Sequence, residues 1–160
     1  MPNWCEGSLK VRGEKENIKK FLLGAFTPIQ PAILQILRPD LKAPELKVTE
    51  DEWSITLESS GKDGFYVRGT RRNFIENNSI EWEFEKQVLI IENYKAAWGI
   101  DSEPLAKLSK EYDIDLKIYG FERGMEFNQD IEIHKGQIIK DNEIKFDDYE
   151  WECINPTLGG

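Results

Sequence analysis

Cysteine is scarce in this chain of 160 residues: Cys5 and Cys153 lie near opposite ends. Two thiols make no disulfide framework, and a chain of this length buries roughly 70% of its unfolded surface without a staple. Histidine is scarcer still, with His134 alone. A zinc site takes about four ligands, and neither C-x-x-C nor H-x-x-x-H spacing occurs, so no metal is expected. No phosphate loop, nucleophile elbow or cofactor motif is visible, so no cofactor is expected either. Basic residues number 21 against 30 acidic ones, a net charge of −9. That balance argues against general affinity for nucleic acid or an anionic membrane. No apolar run approaches the ~20 residues of a membrane helix. No basic-then-apolar leader opens the chain. The expectation is a cytoplasmic protein with reduced thiols.

What is present is enough for a packed core: 39% of the chain is hydrophobic and 11% is aromatic. Charge is uneven. Residues 1–78 hold 12 basic and 11 acidic side chains, whereas residues 79–160 hold 9 and 19. The negative charge therefore belongs to the second half, and a partner protein with a basic patch would complement it.

Alternation of Leu9 and Val11 with Ser8, Lys10 and Arg12 predicts a strand. Ile18, Phe21, Leu22, Ala25 and Phe26 then recur at helical spacing, with Thr27-Pro28 as the stop. The segment Pro28–Pro44 carries four prolines, and Ala32–Arg38 between them reads as two helical turns. Ile33, Leu34, Ile36 and Leu37 make it apolar all round, which favours a buried plug over an exposed partner-binding helix. Trp53, Ile55 and Leu57 predict a strand, and the turn cluster 60–64 predicts that Phe65–Arg72 returns as its hairpin partner. Ile80, Trp82 and Phe84 alternate with Glu81, Glu83 and Glu85, a half-buried strand with an acidic outer face. Asp101 or Ser102 caps a second helix through Leu105, Leu108 and Tyr112. Strands at Leu116–Phe121 and Phe127–His134 follow, with weaker strand signals from Ile138 to Trp151. The reading is one α+β domain over residues 1–160, an antiparallel sheet with two main helices. A strand–helix–strand element at each end suggests a ferredoxin-like core with extra strands and an insertion around 28–78.

Three islands carry a resemblance: Met1-Pro2-Asn3-Trp4-Cys5 at the start, Trp98-Gly99 before the second helix, and Phe121-Glu122-Arg123-Gly124-Met125-Glu126-Phe127. The chain resembles the YubB ferredoxin-like family, small proteins of phages, prophages and plasmids without an established activity. The resemblance implies a ferredoxin-like fold, a mobile-element setting, and a motif of Asn3, Trp4, Cys5, Trp98, Gly99, Glu122, Gly124 and Phe127. It carries over no catalytic residue. Where members have a glycine shortly after the last aromatic, this chain has Asn128-Gln129.

Three functions are compatible with these residues. The favoured one is a non-enzymatic accessory or binding protein of a mobile element, acting through protein contacts. A small enzyme would place Cys5, Glu122 and His134 together; a lone histidine at a strand end is more often a surface group. A nucleic-acid binder would use Arg68, Arg71 and Arg72 as an anion contact. Phe65 and Tyr66 are adjacent and so point to opposite faces, unlike the stacking pairs of RNA-binding sheets. Glu122 beside Gly124 reads best as a carboxylate that accepts backbone N–H bonds across its turn. Cys5 and Cys153 read as buried small hydrophobes, close together if both termini lie on adjacent strands. Leu158-Gly159-Gly160 reads as a flexible end.

Overall fold

The computed structural model describes residues 2–160; Met1, the first residue of the opening motif, lies outside the described residues. The chain is α+β, with two antiparallel sheets and four helices among the described residues. In order, β1 (Trp4–Arg12) leads into α1 (Lys15–Ala25), β2 (Phe26–Pro28) and α2 (Ala32–Leu37). Then come β3 (Leu46–Glu50), β4 (Ser54–Ser59), β5 (Phe65–Val67), β6 (Asn73–Ile75), β7 (Ser79–Glu83) and β8 (Val88–Ala97). Next are α3 (Ser102–Tyr112), β9 (Asp115–Glu122), β10 (Phe127–His134), β11 (Gln137–Lys145) and α4 (Tyr149–Glu152).

The large sheet runs β11-β10-β9-β1-β8-β6-β5-β2, and β3-β4-β7 form the small one. β1 is central, hydrogen-bonded to β8 on one side and β9 on the other, and its two faces are chemically different. Leu9 and Val11 point into the core with Cys5, whereas Lys10 and Arg12 point away. Helices α1 and α3 bury Ile18, Phe21, Leu22, Leu105 and Leu108 in that same core. Asp101 caps α3 by accepting the N–H of Glu103 at 3.1 Å. Asp113, in the left-handed region at φ 52°, ends it. Ile55, Leu57, Ile80 and Trp82 of the small sheet join the core. Lys19 of α1 pairs with Glu50 at 2.5 Å, and the Lys15 ammonium sits 3.6 Å above the Phe84 ring.

Several expectations need correction. The helix ends at Ala25, because Phe26–Pro28 pair with Phe65–Val67 as an edge strand. Phe65–Val67 does not return beside β4, whose neighbours are β3 and β7. Phe65 and Val67 are both buried in the main core, so the turn at 60–64 carries the chain from one sheet to the other. Trp53 precedes β4 and is 75% exposed, since Asp51 accepts the N–H groups of Trp53 and Ser54 and bends the chain there. Residues 149–152 are helical, not extended, with Asp148 accepting the N–H of Trp151. Among the described residues no helix is long and apolar enough to cross a membrane.

Candidate functional site

The sequence islands meet at one end of the large sheet. Trp4 lies opposite Ala97 and Cys5 opposite Ala96. The Asn3 carbonyl accepts the N–H of Trp98 at 2.8 Å. Trp98 takes φ 61° and Gly99 φ 134°, so the β8–α3 link turns through two left-handed residues. Glycine suits the second; the bulky tryptophan at the first is an outlier of the kind that marks a constrained site.

Glu122 is completely buried. One carboxylate oxygen accepts the N–H of Gly124 at 2.9 Å and the other the N–H of Met125 at 2.6 Å. The carboxylate is therefore spent on its own turn. Gly124 allows the Asn3 amide to approach: a Cβ there would lie 2.6 Å from Asn3 Nδ2. Phe127 closes the cluster, its ring edge near Gly99. Asn128 and Gln129 are both structural. Gln129 accepts the N–H of Ile100 at 2.7 Å and donates to its carbonyl at 3.2 Å. Asn128 is buried on the opposite face, accepting from the Tyr149 hydroxyl at 2.9 Å and donating to Cys153 Sγ at 3.4 Å.

That pair also separates the cysteines. Cys5 contacts Gln129, and Cys153 contacts Asn128. Neighbouring residues on a strand point to opposite faces, so the sheet stands between the thiols, and both are free. Burial, with Glu122 and Glu6 nearby, pushes the Cys5 thiol up to about 12, which makes it inert at neutral pH. Burial also raises the Tyr94 and Tyr149 hydroxyls. His134 sits at the other end of β10, five residues from Gln129, roughly 16 Å along the strand. It pairs with Glu132 at 2.7 Å. Cys5, Glu122 and His134 do not form one site. Among the described residues no group of three or more His, Cys, Asp or Glu side chains is arranged to hold a metal ion.

The three arginines separate as well. Arg68 donates to both oxygens of Glu111 at 2.8 Å and to the Gly24 carbonyl at 2.9 Å, clasping β5 to α3 and α1. Its charge is committed internally. Arg71 is exposed. The Arg72 guanidinium lies between two indoles, 5.7 Å from the Trp4 ring and 5.2 Å from Trp98. Lys95 covers Trp4 as well, at 4.7 Å. Trp4 is thus a half-buried stacking platform.

Two surfaces stand out among the described residues as open to a ligand. The first is a groove of about 580 Å³ on the face of the large sheet opposite α1 and α3. Strands β1, β8 and β9 form its floor. Tyr119 and Phe121 line it, two residues apart on one face, with ring centroids 5.1 Å apart. The sequence holds this pair two positions apart, but the run Leu116–Phe121 marks a strand without showing which of its faces stays open. The chain after α4 borders the groove through Asn155 and Leu158. It is not a loose end: the N–H of Gly160 donates to the Trp4 carbonyl at 2.9 Å.

The second is α2, which buries none of its side chains. Ile33, Leu34, Ile36, Leu37 and the following Leu41 are all exposed, Ile36 to 76%. The segment expected to be a buried plug stands out from the body. Its prolines and the Arg38–Asp40 ion pair, at 2.8 Å, shape it without help from the core.

The chain matches no family model, no curated protein and no solved structure.

Proposed function

We propose that this chain is a non-enzymatic accessory protein that acts through protein contacts. The observation that carries this reading is α2: five large apolar side chains, Ile33, Leu34, Ile36, Leu37 and Leu41, exposed on one short segment. Contiguous exposed apolar surface of this kind marks protein interaction sites. The partner complements it with an apolar cleft, and with a basic patch for the acidic second half of the chain. Glu81, Glu83 and Glu85 all face solvent there, on and beside β7.

Kinship with the YubB ferredoxin-like family, and so a phage, prophage or plasmid setting, belongs to the same proposal. The strand order β9-β1-β8-β6, with α1 and α3 as the connections that cross it, supports a ferredoxin-like core. The meeting of Asn3, Trp4, Trp98, Glu122 and Gly124 supports the kinship, because residues far apart in sequence form one contact cluster. Spending Glu122 on backbone amides, and the distance of His134 from Cys5, favour binding over catalysis.

The test is affinity capture from a bacterial host lysate with the wild-type chain and an Ile33→Ser/Ile36→Ser/Leu37→Ser variant. Because α2 buries nothing, the variant keeps the wild-type melting temperature. A partner held by the wild type and lost by the variant is the expected result. A partner retained equally by both refutes the assignment to α2.

A further inference from the structure

The groove on the open sheet face has a polarity that α2 and its partner do not use. At one end Lys10 and Lys117 stand directly opposite each other across β1 and β9. Cross-strand neighbours have Cβ atoms about 4.5–5.5 Å apart, and like charges there are destabilising. Lys117 is answered by Glu132 at 3.2 Å. Lys10 has no carboxylate partner among the described residues, and Ile90 is its neighbour on β8. An anion between the two ammonium groups relieves the repulsion. In the middle lie the rings of Tyr119 and Phe121, half-buried and on one face. At the other end is Glu6, between Phe121 on β9 and Lys95 on β8 and four residues from Lys10 along β1, roughly 13 Å away. Its carboxylate is a hydrogen-bond acceptor only. The volume of about 580 Å³ falls within the ~300–1,000 Å³ of small-molecule sites. The floor is three hydrogen-bonded central strands, so the groups are held rigidly.

We propose that this groove binds a small molecule in which an anionic group is joined to a planar ring bearing hydrogen-bond donors, a nucleoside monophosphate being the matching class. The phosphate lies between Lys10 and Lys117. The base rests against Tyr119 and Phe121. Glu6 accepts from donors on the base or sugar. A longer polyanion is disfavoured, because Glu6, Glu76 and Glu92 border the rest of the groove and the one cation among them, Lys95, is already paired with Glu76.

The full chain is titrated by calorimetry with the four common nucleoside monophosphates, with adenosine, with ribose 5-phosphate and with a short single-stranded oligonucleotide. At least one monophosphate is expected to bind saturably, about tenfold or more tighter than adenosine or ribose 5-phosphate, since each half loses one kind of contact. Lys10→Gln is expected to weaken the monophosphate about tenfold and leave adenosine unchanged. Phe121→Leu is expected to weaken both ring-bearing ligands and leave ribose 5-phosphate unchanged. Melting temperatures of both variants show that each still folds. No binding of any monophosphate at millimolar concentration overturns the proposal. So does binding indifferent to both substitutions, or an oligonucleotide that binds more tightly than every monophosphate. None of these outcomes bears on the partner of α2, which the lysate capture tests separately.

Discussion

Replacing Glu122 separates a structural carboxylate from a chemical one. Its side chain is fully buried, and its two oxygens accept the N–H groups of Gly124 and Met125 at 2.9 and 2.6 Å. Hydrogen bonds to a charged group contribute about 1.5–3 kcal/mol each. Met125 is 69% exposed and Gly124 is exposed too, so water can reach these amides once the carboxylate is gone. The lower end of the range therefore applies, and Glu122→Ala should cost about 3 kcal/mol. In a chain of this size that is a fall in melting temperature of roughly 6–12 °C. Glu122→Gln keeps one acceptor and turns the other into a donor facing an N–H group. It should cost less, about 1.5–2 kcal/mol. Glu126, exposed in the same turn, serves as the control, and Glu126→Gln should stay within about 0.5 kcal/mol of wild type. Urea unfolding followed by tryptophan fluorescence reads all three. The reasoning fails if Glu122→Gln is as stable as wild type, or if Glu126→Gln costs as much. A stable Glu122→Gln protein that lost an activity would show that the carboxylate had been assigned the wrong job.

The remaining expectations are simpler. Iodoacetamide should leave Cys5 unmodified at pH 8 in the native protein and label it in urea, as mass spectrometry of peptides would show; native labelling would place the thiol outside the core. Because the folded thiol holds its proton up to about pH 12 against an ordinary 9.0, its contribution to stability is whole below pH 9 and is lost as pH rises from 9 toward 12. Urea midpoints across that range should fall more steeply for wild type than for Cys5→Ala. Gly120→Ala puts a Cβ 2.5 Å from Cys5 Sγ and 2.8 Å from Ile100 Cδ1, and should cost about 1–3 kcal/mol by overpacking; an unchanged urea midpoint would contradict that contact. Trp98→Gly removes a bulky side chain from φ 61°, and the relief should offset the lost stacking on Arg72 to within about 1 kcal/mol. A large loss of stability would mean that the indole packs more than it strains.

The sequence by itself determined the elements whose side chains have two unlike faces. The alternation of Leu9 and Val11 with Lys10 and Arg12 placed β1, and the 3.6-residue spacing of Ile18, Phe21, Leu22 and Ala25 placed α1. The acidic outer face of β7 was legible for the same reason: burial acts on each residue locally, and period reveals it. The start of α3 was legible from its capping residues, Asp101 or Ser102, whereas its left-handed end at Asp113 was not. The role of Glu122 was legible because an acid two residues before a glycine can close its own turn. Tertiary structure alone decided which strands became neighbours. Phe65 and Val67 could have paired with β4 as a hairpin, yet they pair with β2 and β6, because both side chains find the core of the large sheet there. The exposure of α2 was likewise invisible, since a segment apolar on every side carries no record of whether the core has room for it. Lys10 and Lys117 are 107 positions apart in the numbering, and Arg72 is far from both Trp4 and Trp98. Only the register of β1 against β8 and β9 brings such groups together, and register is fixed by the whole pattern of buried faces rather than by the residues that meet.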